Sequence, residues 1–135
     1  MRKILLITLT FIAFTPAFSQ SNLEINICGN TENTITKQDI NEKTISQTEL
    51  LKCTELFVND TNWKVNFFTF IFVSKKDGAE DTVMQLNMKG NKLSERMIVI
   101  IKKYNPDKIY IEKIELINSK EEFTTGKPLI LILKD

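Results

Sequence analysis

Histidine is absent from this 135-residue chain. Its absence removes the commonest general base near neutral pH, the commonest metal ligand, and every Ser/His or Cys/His nucleophile pair. Glycine occurs only four times and proline three times, so there is little material for a glycine-rich loop that cradles phosphate. No P-loop, dinucleotide glycine pattern, G-x-S-x-G or H-E-x-x-H occurs. The two cysteines are not arranged as C-x-x-C, which leaves no redox dithiol and no cysteine-based zinc motif. An excess of one charge is missing too. The 18 basic and 17 acidic residues are interspersed, so nucleic acid and anionic membrane surfaces are poor partners.

What remains for chemistry is carboxylates and aromatics. Glu80-Asp81 and Glu121-Glu122 are adjacent pairs in polar stretches, a pattern typical of solvated loops. Glycoside chemistry needs opposed carboxylates in a cleft. Asp77, Glu80 and Asp81 can ligate Ca²⁺ from a turn, but the EF-hand spacing is absent. Phe67, Phe68, Phe70 and Phe72 read as core, since aromatics dominate small β cores, with an apolar ligand cavity as the alternative. Trp63 also reads as core. Asn59-Asp60-Thr61 matches a glycosylation acceptor. No cofactor and no metal is expected, and the residue inventory predicts a non-enzymatic protein.

The N-terminus reads as an export signal. Arg2 and Lys3 precede an apolar run from Ile4 to Phe14, and Ala17-Phe18-Ser19 offers small residues for cleavage before Gln20. The alternative, an uncleaved anchor, is disfavoured by the short run and by Pro16. Residues 1–19 are therefore a signal peptide and 20–135 a single domain with its own core. Without Arg2 and Lys3, 16 basic residues face 17 acidic ones. An exported chain with Cys28 and Cys53 permits one disulfide; two buried thiols are the other reading.

Apolar periodicity then gives the elements. Leu23–Cys28 reads as a strand and 29–34 as a loop. Thr36 can cap a short helical turn with Asp39 at N3. Residues 41–48 are ambiguous. Glu49–Val58 mixes both periods and leans to strand from Leu51, and 59–62 is a turn. Trp63–Ser74 is the clearest strand, with a break in alternation at Phe67-Phe68 that reads either as a bulge or as a strand covered on both faces. A hairpin tip at Asp77-Gly78 leads to Thr82–Met88, which places Met84, Leu86 and Met88 on one face. Leu93, Met97, Ile100, Ile101 and Tyr104 form one helical stripe, capped by Ser94 and closed by Lys102-Lys103 and Pro106; the unbroken, β-branched run Met97–Ile101 has a buried strand as its other reading. Lys108–Leu116 is a strand whose parity changes near Glu112-Lys113. Residues 118–126 form an exposed turn, and Lys127–Lys134 closes the chain as a strand whose unbroken run Leu129–Leu133 suggests burial on both faces. About seven strands and one or two short helices predict a sandwich or a small barrel. A single helix over 36–52 would instead give an α+β inhibitor-like domain.

The stretch Leu93–Leu116, "LSERMIVIIKKYNPDKIYIEKIEL", resembles part of the C-terminal domain of GldM-like proteins of the gliding-motility and type IX secretion machinery. The matching features are the helix ending in Lys102-Lys103 and the strand Lys108-Ile109-Tyr110-Ile111-Glu112-Lys113-Ile114. "ICGNTENTITKQDI" and "WKVNFFTFIFVS" extend the likeness over most of 23–134. The turn carries Pro106 where that family has glycine, and the hairpin at Asn118-Ser119-Lys120 lacks its Pro-Asp-Gly-like pattern. The resemblance implies a stand-alone, immunoglobulin-like antiparallel β-sandwich with one amphipathic crossover helix at about 94–103. It implies an exported protein–protein interaction module whose partners are cell-envelope proteins, without a stable membrane anchor. The alternative is a carrier of a small apolar ligand in a barrel-like cavity.

Overall fold

The computed structural model describes residues 23–28, 33–37, 39–74 and 82–134. Over these, the chain runs β1 (Ile25–Ile27), β2 (Thr34–Lys37), β3 (Ile40–Ser46), α1 (Gln47–Lys52), β4 (Leu56–Val58), β5 (Trp63–Ser74), β6 (Thr82–Lys89), α2 (Glu95–Tyr104), β7 (Lys108–Asn118), β8 (Phe123–Thr125) and β9 (Leu129–Lys134). The signal peptide, Asp77-Gly78 and the Glu80-Asp81 pair lie outside the described residues.

The protein is mainly β. One large open sheet has the order β2-β3-β9-β7-β5-β6, with β8 paired to the far half of β7. A small β1-β4 sheet joins the two helices as a second layer. The large sheet is mixed: β3 and β9 pair in parallel, and its other pairs are antiparallel.

Two adjacent strands, β5 and β7, set the geometry. Val65, Phe68, Phe70 and Phe72 are buried along β5, as are Ile109, Ile111, Ile114 and Leu116 along β7. Both series change parity once. The register explains this: β5 carries an extra residue at Asn66, and β7 carries one near Lys113. Lys113 adopts φ 49°, the left-handed conformation of a bulge residue. The two bulges lie close together and compensate, so both strands keep their apolar side chains on one face.

α2 forms where its stripe and caps predict. Ser94 Oγ accepts from the Met97 N–H at 3.2 Å. Glu95 occupies the first turn, and Lys102 and Lys103 the last, matching the helix dipole. Asn105 ends the helix at φ 44°, its N–H donating to the Ile101 carbonyl at 3.0 Å, before Pro106. Leu93, Met97, Ile100 and Ile101 are buried. Tyr104 lies 5.5 Å from Phe72, ring centre to ring centre. β6 and β7 both run antiparallel to β5, so α2 crosses over between two parallel strands that flank it. On the same side, β1 packs against the sheet. A Cβ on Gly126 would lie 2.8 Å from Ile25 Cδ1 and 3.4 Å from Ile114 Cγ2, so a larger residue there would have to displace the Ile25 side chain.

Several expectations need correction. Thr36 does not cap a helical turn. It lies in β2, which pairs antiparallel with β3. The ambiguous stretch is β3, obscured because two of its three inward residues, Asn41 and Lys43, are polar. Residues 51–52 are not strand but the end of α1. Ser46 Oγ caps that helix by accepting from the Glu49 N–H at 3.1 Å, so the Ser-x-x-Glu spacing outweighs the local apolar pattern. With α1 only six residues long, no helix spans 36–52. The turn at 118–126 contains a short strand, β8. The closing strand β9 is not buried on both faces: Leu129 and Leu131 are buried, while Ile130 and Ile132 on its other face are half-buried.

Candidate interaction surface

Cys28 and Cys53 are joined by a disulfide, with a Cα–Cα distance of 5.0 Å. Cys28 directly follows β1 and Cys53 caps α1, so the bond ties the small sheet to that helix. Glu121 and Glu122 are exposed on the turn, where Glu121 lines an open cleft beside Trp63 and Glu122 an adjoining one. Glu122 Oε1 accepts from Asn118 Nδ2 at 2.8 Å within the turn. Phe68, Phe70 and Phe72 are fully buried in the common core, while Phe67 faces the other way and is half-buried. Trp63 is half-buried at the rim and lines an open cleft of about 420 Å³ with Lys64, Ile117 and Asn118. Asn59 is exposed, and its side-chain carbonyl accepts from the Glu24 N–H at 3.0 Å. Among the described residues there is no group of three or more His, Cys, Asp or Glu placed to hold a metal ion. No helix among them is long and apolar enough to cross a membrane.

The unusual feature is the second face of the large sheet. Both helices and the small sheet contact its inner face. Ladder registers place Ile35, Glu42, Ile130, Tyr110, Ile71 and Gln85 in one row across the outer face. The next row runs Thr44, Ile132, Lys108, Val73 and Val83. Ile71, Val73, Tyr110, Ile130 and Ile132 are only half-buried, although they sit on central strands. Val83 is 64% exposed and Ile35 is 59% exposed. Side chains on a covered central strand are close to 0%, as Phe70 and Ile111 are here. Among the described residues these outer apolar side chains are shielded only by one another, while the small Thr69 of the same face, bonded to Asn87 Oδ1 at 3.0 Å, is 1% exposed. Beside Tyr110 the face dips into a cleft of about 240 Å³ lined by Val73, Asp107 and Lys108.

This face borders a long edge. β6 has eight residues, TVMQLNMK, without proline or a bulge and with one charge at its end. The opposite edge, β2, has four residues and carries Lys37, which pairs with Glu42 at 3.4 Å. Edges like β2 are guarded by shortness and charge, and β6 is not.

Sequence reasoning missed this surface. Alternation along Lys108–Leu116 and Leu129–Leu133 shows inward and outward positions, but only the pairing of β9 between β3 and β7 assembles Ile130, Tyr110 and Ile71 into one patch. No protein-family model matches the chain, and no curated protein matches it significantly.

Proposed function

We propose that this protein is a non-enzymatic, exported interaction module of the cell envelope, which works by presenting one apolar sheet face to a protein partner. The uncovered row Ile130–Tyr110–Ile71 carries this reading. Contiguous exposed apolar patches with polar rims mark interaction sites on soluble proteins. An aromatic beside a shallow pocket is the usual anchor of such a site. Export is supported by the N-terminal pattern of residues 1–19 and by the Cys28–Cys53 bond, since disulfides persist in oxidising compartments. The likeness of Leu93–Leu116 to GldM-like domains motivates a link to gliding or type IX secretion machinery. The carrier alternative has less support, because the aromatic strand fills a packed core and the large sheet is open, with β2 and β6 as its ends.

Site-specific photo-crosslinking in native envelopes tests this reading. A crosslinker at Ile71 or Ile130 is expected to give discrete protein adducts. One at Val99, exposed on α2, is the control expected to give none. No protein adduct at either sheet position would overturn the proposal.

A further inference from the structure

We infer that the outer face pairs with a second copy of this chain, face to face about a two-fold axis that crosses β7 at Tyr110. This rests on reading the face as an interaction surface and adds the identity of the occupant. The outward row of β7 is Lys108, Tyr110, Glu112: a cation, an aromatic and an anion. At about 3.3 Å per residue, Lys108 and Glu112 stand about 13 Å apart, too far to pair within one chain. Neither forms an ion pair with another described residue. They lie at equal distances on either side of Tyr110.

A two-fold axis lying between the sheets and perpendicular to the strands sets Lys108 of each copy against Glu112 of the other. Two complementary pairs then frame a centre in which Tyr110, Ile71 and Ile130 meet their own counterparts. The same operation places Glu42 against itself, and Lys37 already offsets that charge at 3.4 Å. The geometry is isologous, as most homodimer interfaces are, and aligned sheet packing is an ordinary way to bury two apolar faces. The six strands at about 4.8 Å spacing make the face about 24 Å wide.

The test is sedimentation velocity on the mature chain, Gln20–Asp135, with charge reversals. The wild type is expected to form a reversible dimer at about 100 µM, a concentration that populates a micromolar complex. Lys108→Glu sets like charges against each other twice, and is expected to weaken association by roughly tenfold or more. Glu112→Lys does the same from the other side. The double variant Lys108→Glu/Glu112→Lys restores both pairs and the dimer, which a merely structural role for either residue would not produce. Circular dichroism on each variant confirms that it is folded. A monomeric wild type, or a double variant no better than the singles, overturns the self-pairing. If the chain is monomeric while position 71 crosslinks to a different protein, the interaction module stands and only the second copy is wrong. If neither occurs, both readings fall.

Discussion

Phe70 and Ile71 are adjacent on β5, yet they lie in different surroundings. Phe70 points inward and is 0% exposed against the core shared with the helices. Ile71 points outward, between Tyr110 and Gln85, and is only half-buried. Both are large and apolar, so hydrophobicity alone does not separate a structural residue from an interface residue. What separates them is the layer above. α1, α2, β1 and β4 all cover one side of the large sheet, and among the described residues the apolar side chains on the other have only their neighbours.

The largest effects should fall on the covered face. Phe70→Ala leaves a large cavity and is expected to cost about 3–5 kcal/mol in equilibrium unfolding, against less than about 1 kcal/mol for Ile71→Ala measured on the monomer. Equal losses at the two positions would erase the distinction between the faces. The disulfide comes next. Replacing both Cys28 and Cys53 with alanine is expected to lower stability by about 3 kcal/mol on the chain-entropy view. That bond anchors the covering layer, so its loss should speed amide exchange in β1 and α1 more than in β7, as hydrogen exchange can show.

Asn41 gives a smaller effect of the opposite sign. It is 1% exposed on the inner side of β3, and neither atom of its side-chain amide has a hydrogen-bond partner. Asn41→Val removes an unsatisfied buried group and suits a strand, so it should raise stability by about 1–2 kcal/mol. A loss in denaturant titration would show that the amide is satisfied in solution. Ser94→Ala removes the α2 cap and should cost about 1 kcal/mol, read from the same titration.

Much of the fold was legible because it is written locally. Trp63–Ser74 is β5 residue for residue. Ser94, the stripe from Leu93 to Tyr104, and Pro106 define α2. The parity change near Lys113 points to the bulge in β7, and the break at Phe67-Phe68 leaves the bulge at Asn66 as one of two readings. What failed was either weakly apolar or long-range. β3 turns Asn41 and Lys43 inward and so hides its alternation, and six-residue α1 is specified by its Ser46 cap more than by its length. The parallel pairing of β3 with β9 joins residues nearly ninety positions apart and has no local signature. The candidate surface depends on that pairing, which is why its residues were visible singly but not as a patch.

The most direct measurement is equilibrium unfolding of Ile71→Lys at a protein concentration low enough to keep the chain monomeric. An uncovered outer face predicts a folded variant whose stability lies within about 0.5 kcal/mol of wild type, as for an ordinary surface substitution. A loss of several kcal/mol, the cost of an unpaired charge in a covered interior, would mean that the outer face is buried within the single chain and is not a docking surface.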